Sequence, residues 1–180
     1  MDVNENKGVW LIDPVHTKIR FETKYLMITS VSGWFTQFEG TVTTPTNDFN
    51  NSDIRLTVYT ASLYTGNQER DNHLRSPDFF NTKQFPTLTF RSTVIKVADK
   101  KVNVIGDLRI KNITETIRFD AAFIGCVRDP IGNLKAGFEI SLTLNRKDFD
   151  ISWNQFFDKA GVLVSDEVKI FCDVQLLKAS

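Results

Sequence analysis

Apolar and polar residues alternate with a period of two along most of this chain. In Thr17 to Tyr25, Ile19, Phe21, Thr23 and Tyr25 face one way while Lys18, Arg20, Glu22 and Lys24 face the other. Ile54, Leu56 and Val58 alternate with Arg55, Thr57 and Tyr59, and Leu88, Phe90 and Val94 share a parity against Thr89, Arg91 and Thr93. The pattern returns in Val102, Val104, Gly106, Leu108 and Ile110, and again in Ile117, Phe119, Ala121 and Phe123. Two late runs carry it through Phe138, Ile140, Leu142 and Leu144, then through Val168, Ile170, Cys172, Val174 and Leu176. Half-buried strands repeated in this way predict an antiparallel sandwich or barrel.

Turn chemistry separates the runs. Pro45 to Asp53 is a polar connection, Ala98 to Lys101 reads as a hairpin, and Asp129-Pro130-Ile131-Gly132-Asn133 is a strong turn. Asn67 to Ser76 breaks the alternation, lacks β-branched residues and stops before Pro77, which predicts a short helix; a second helical turn is expected over Arg146 to Phe149. No repeat, linker or low-complexity tract divides the chain. About eight strands fit a sandwich or a barrel, and a barrel of that size either fills with side chains or holds one ligand. The 15 Phe among 180 residues read from composition alone as a Phe-rich solid core, and they suit a tunnel lining as well.

Twenty-two basic and 22 acidic side chains cancel, so no dominant footprint for nucleic acid or an anionic surface is evident. Cys126 and Cys172 have neither CxxC spacing nor a nearby histidine and read as buried thiols in strands, with a disulfide open only if those strands are neighbours. The opening residues lack the basic region and apolar run of a secretory signal, and no apolar stretch approaches the ~20 residues that span a bilayer. As written, the chain reads as cytoplasmic; with a signal removed, it would be periplasmic.

Chemistry-bearing constellations are sparse. His16 and His73 are the only histidines, and no HxH or Cys spacing completes a metal set. No Gly-x-Ser-x-Gly elbow and no glycine-rich phosphate loop is present. Asp71 and His73 form a polar pair on the expected helix. Either they tie that turn to a barrel rim, with Arg75 bridging to an acid, or they meet the polar head of a ligand at a tunnel mouth. His16 reads as a satisfied histidine at a strand start, and Arg146 as an anchor to backbone carbonyls or a carboxylate. Trp153, Phe156 and Phe157 read as a cap over one end or as an interaction face.

The stretch RDNHLRSPDFFNTKQFPTLTF, Arg70 to Phe90, carries Asp71, His73, Leu74, Ser76, Phe79, Phe80, Phe85, Pro86 and Phe90 in a distinctive order. Upstream stand Trp10, Asp13, His16-Thr17 and Phe21, then Gly33, Phe35, Phe38 and Gly40; downstream stand Gly106, Leu108, Ile110 and Thr114, then Arg146, Phe149, Trp153 and the run from Gly161 to Ile170. In order and coverage this resembles the YceI-like family, lipocalin-like antiparallel barrels associated with polyisoprenoid lipids. Two positions depart from the family pattern. Tyr25 stands where members commonly carry a second histidine, replacing an imidazole by a phenol that does not titrate near neutrality. Asp150 stands where they commonly carry glycine, at a place where the backbone is expected to want positive φ; Asp tolerates that better than most residues.

The resemblance implies one all-β domain over residues 1–180, a lipocalin-like antiparallel barrel of about eight strands with one or two short helical turns. It implies non-catalytic binding, carriage or storage of a long isoprenoid-type lipid, a polyprenol or quinone tail, in a Phe-lined tunnel. Inward parity nominates Phe21, Phe35, Val58, Phe90, Leu108, Phe119, Phe138, Leu142 and Ile170 as lining, with Tyr25, Asp71 and His73 as polar ligand contacts. No cofactor is expected beyond the bound lipid or quinone. The expected partner is an apolar lipid, with no nucleic acid and no stable membrane insertion; a homodimer is left open. Two rivals stand beside this reading: an enzyme acting on an isoprenoid lipid inside the barrel, and a ligand-free stress or interaction protein with a solid core.

Overall fold

The computed structural model describes residues 8–46, 48–157 and 161–179, with the backbone alone for 156, 157, 161 and 162. The alternating runs form strands in the order β1 (Gly8–Ile12), β2 (Lys18–Tyr25), β3 (Thr29–Phe35), β4 (Phe38–Thr44), β5 (Asp53–Tyr59) and β6 (Leu63–Tyr64). The helix α1 (Gln68–Arg75) follows, then β7 (Thr87–Ala98), β8 (Lys101–Ile110), β9 (Ile113–Arg128) and β10 (Leu134–Asn145). A small hairpin, β11 (Phe156–Phe157) with β12 (Gly161–Val162), precedes the last strand, β13 (Val164–Lys178). Single 3₁₀ turns cover Thr60–Ser62 and Arg146–Phe149.

All pairings are antiparallel, and consecutive strands are neighbours. β1 and β2 both pair with β13, so they act as one strand bent at the Asp13–Thr17 turn; β3 with β4, and β5 with β6, are bent likewise. Counted so, the sheet is an eight-stranded barrel in which the last strand closes on the first. Closure removes the exposed edges that would otherwise invite aggregation. Asn67 caps α1 by accepting Arg70 N–H at 2.9 Å, which accounts for the helix start that the sequence predicts.

Inward parity follows the sequence with one correction. Thr93 is an extra residue in β7, because Ser92 pairs with Gly106 while Val94 pairs with Ile105. The bulge reverses the parity beyond it, so Val94 points outward and Ile95 inward, 2 % exposed. Two inward phenylalanines lie across glycines of the neighbouring strand. A Cβ on Gly33 would sit 2.3 Å from the Phe21 ring, and one on Gly106 would sit 2.5 Å from the Phe90 ring. At Gly33 the ring fills the place of a side chain; at Gly106 glycine is required, because a Cβ would also sit 2.4 Å from the backbone oxygen of Arg91.

The interior is packed unevenly. Val58, Leu88, Phe90, Ile95, Val102, Val104 and Leu108, on β5, β7 and β8, are all buried. The inward residues of the opposite wall, among them Phe21, Phe119, Ile140, Leu142, Val168 and Ile170, are only half-buried. They face the empty space described below.

Candidate functional site

A cavity of about 310 Å³ runs along the barrel, within the size range of ligand pockets. One end is plugged by Phe49, whose ring packs on Trp10 at 5.0 Å and on Phe138 at 5.2 Å. At the other end, α1 and the segment after it lie across the strands. Phe80 meets Phe35 edge-on at 5.8 Å, and Phe79 meets Trp153 at 5.3 Å.

Nine of the nominated residues, Phe21, Phe35, Val58, Phe90, Leu108, Phe119, Phe138, Leu142 and Ile170, line this cavity. The three polar nominees do not. Asp71 is 3 % exposed and accepts both the backbone N–H of Thr65, at 2.9 Å, and its hydroxyl, at 2.5 Å. It therefore holds α1 to the end of β6 through Oδ1. Arg75 donates to the Ala61 and Leu63 carbonyls rather than to an acid. His73 sits outside the cavity with Nε2 2.9 Å from Asp78, its ring edge-on to Phe79 and Trp153 at 5.0 and 4.7 Å. Tyr25 ends β2 and is exposed to solvent. The side chains of Phe156 and Phe157 lie outside the described residues.

Thr23, Ser52 and Arg146 are the polar residues of the lining. Thr23 is turned to the carbonyls of Ser165 and Glu167, where β13 carries extra residues against β2. Ser52 is bonded to the Phe49 carbonyl. Arg146, 5 % exposed, donates Nε to Ser165 O at 3.0 Å, Nη1 to Ile151 O and Trp153 O at 2.7 Å each, and Nη2 to Val164 O and the Asp166 carboxylate. Burial lowers its pKa against the opposing pull of Asp166. With every guanidinium nitrogen engaged by protein oxygens, Arg146 is a structural clamp on the loop between β10 and β13.

Cys172 faces the cavity, where desolvation first and the Asp173 charge second push its thiol up to about 12. Cys126 departs from expectation: it is exposed, beyond the bulge at Ile124 near the end of β9. Both thiols are free. His16 caps the bend between β1 and β2 through Asp13 at 2.8 Å. Among the described residues no group of three or more His, Cys, Asp or Glu is placed to hold a metal ion.

Sequence reasoning missed Phe49, Phe79 and Phe80 as lining residues, since they lie in connections rather than on alternating strands. A lone aromatic in the polar run from Pro45 to Asp53 was the available signal for Phe49.

The YceI-like domain model matches residues 10–176. The chain belongs to the YceI-like family. A UPF0312 protein of Staphylococcus aureus is 37 % identical over 158 residues, 87 % of this chain and 90 % of that protein. Among solved structures, a YceI protein of Campylobacter jejuni has a TM-score of 0.74 at 27 % identity, covering 87 % of this chain and 90 % of its own. Burkholderia cenocepacia BcnA shares the fold at a TM-score of 0.79, 24 % identity and coverages of 91 % and 98 %. A polyisoprenoid binding domain from Saccharophagus degradans shares it at 0.73 and 13 % identity, with coverages of 94 % and 98 %. In this YceI-like barrel, then, the family fold encloses an apolar cavity, and Asp71, Arg75 and Arg146 secure the segments at one end.

Proposed function

We propose that this barrel binds a long isoprenoid-type chain, such as a polyprenol or a quinone tail, in its cavity and carries or stores it without reaction. The observation that carries the reading is the lining itself. Its hydrophobic side chains come from all sides of the barrel, and its one charged residue, Arg146, has its donors engaged by protein oxygens. Such a site rewards burial of apolar area, roughly 25 cal/mol per Å² before the costs of association, and offers little to a buried polar head. The name of the Saccharophagus degradans neighbour, a polyisoprenoid binding domain, supports the ligand class. The half-buried wall formed by β9, β10, β13 and β2 is where the chain would lie.

Native mass spectrometry of gently purified protein, followed by organic extraction, tests this. The expected result is a stoichiometric apolar passenger of defined mass. A protein that is empty, and that stays empty with added polyprenols and quinones, overturns the reading.

A further inference from the structure

The turn joining β2 to β3 is built against local preference. Leu26 and Met27 have φ of 51° and 57°, and Ile28 N–H donates to Tyr25 O at 3.1 Å. Positive φ at both central positions is the pattern of a type I′ turn, which favours Asn-Gly and penalises side chains such as Leu. Packing does not compensate: Leu26, Met27 and Ile28 are 37, 65 and 79 % exposed. Three consecutive apolar side chains thus project from a strained tip. The Leu26 N–H donates to Leu163 O at 2.8 Å, which fixes the turn through its backbone but does not use the apolar side chains; strain held with its side chains in water points to an external use.

Its position indicates which use. Tyr25 is the register partner of Val164, and Val164 and Thr23 both line the cavity. The tip therefore stands one step beyond the lining, at the α1 end of the barrel. The turns at the opposite end, Asp99-Lys100, Asp129 to Asn133 and the Pro45 to Asp53 connection, are mostly polar, with Ile131 exposed among them, and Phe49 plugs the cavity behind them. Lys24, exposed, immediately precedes the tip at the level where phosphate headgroups would lie. A projecting tip of three side chains is far smaller than the roughly 800 Å² per partner of a stable protein interface, but it suits insertion into a bilayer surface.

Resting on the carrier reading, we infer that the Tyr25–Ile28 tip docks this end of the barrel on a lipid bilayer, so that an apolar chain passes between bilayer and cavity. Other apolar side chains are exposed as well, but Val127 and Ile131 lie towards the opposite end, where Phe49 plugs the cavity.

The test is flotation with phosphatidylethanolamine–phosphatidylglycerol vesicles, comparing the wild type with the double variant Leu26→Asn, Met27→Gly. That variant installs the favoured turn, so its thermal midpoint should rise or hold while vesicle partitioning weakens roughly tenfold or more. Polyprenol taken up from detergent micelles should be unchanged, and uptake from vesicles should slow. Equal flotation of both proteins, or flotation of neither, overturns the docking. So does a concentration-dependent dimer that the same substitutions abolish, since the tip's occupant is then a second copy. Tip-dependent flotation by a protein that takes no polyprenol even from detergent upholds the docking and defeats the carrier reading.

Discussion

The carbonyl of Trp153 accepts Nη1 of Arg146 at 2.7 Å, and that bond is one of several by which a single guanidinium sets the path of the loop between β10 and β13. Arg146→Met removes the donors and leaves the buried Ile151 carbonyl and the part-buried Trp153 carbonyl without them, while Ser165 O keeps the Thr23 hydroxyl. At ~1–3 kcal/mol for each unsatisfied buried group, the loss should reach about 3 kcal/mol or more. Arg146→Lys restores the charge but not the fork and should recover less than half. Urea-unfolding midpoints at constant slope check both.

The uneven wall gives a paired test of the cavity. Leu108 and Leu142 are the same residue on opposite sides, Leu108 buried in the packed face and Leu142 half-buried against the open space. Leu108→Ala should cost about 3 kcal/mol, as in a filled core, whereas Leu142→Ala should cost about 1 kcal/mol because fewer contacts are lost. A ligand-free solid interior predicts equal costs. Leu142→Trp, which fills the space, should leave folding intact and abolish uptake of an added polyprenol.

The barrel and most of the lining were legible because period-two alternation states directly which side chains point inward. Val94 was misread because a bulge at Thr93 leaves no mark in polarity: Thr93 and Val94 suit a strand in either register. The polar nominees were the weakest part. Asp71 and His73 lie two residues apart on one helix, and a helical turn sends such neighbours in different directions. Asp71 turns inward to Thr65 while His73 lies outside against Trp153. The αL turn at Asp150, by contrast, was readable from the place of a non-glycine residue in a family pattern.

Asp13 provides the pH handle. Burial raises its pKa, but the bonds from His16, Val15 N–H and Gln175 outweigh that and hold it below its ordinary value of 3.8. A folded-state pKa depressed in this way contributes stability above the unfolded value, lost as pH falls through the folded one. The urea midpoint should therefore fall as the solution is acidified below 3.8. Asp13→Asn should flatten that limb, and His16→Ala, which removes one of the bonds that lower the pKa, should make it shallower.

Asp150 closes the 3₁₀ turn that presents Ile151 and Trp153 to Arg146, with φ 54° and ψ 36°. An L-residue in that region carries strain that glycine does not, at ~1–2 kcal/mol in general and less for Asp. Asp150→Gly relieves it and forfeits a long ion pair, 3.4 Å, between the solvent-exposed Asp150 carboxylate and the largely covered Lys111 side chain, worth ~1 kcal/mol, while the Lys111 bond to the backbone carbonyl at 2.7 Å survives. Glycine also gives the unfolded chain more freedom, which trims the gain. The expected net effect is a stabilisation of about 0.5 kcal/mol for Asp150→Gly and a loss of about 1 kcal/mol for Asp150→Ala, read as opposite shifts of the thermal midpoint. The sign is the test: alanine equal to glycine would mean that the ion pair, and not the backbone, keeps aspartate in the turn.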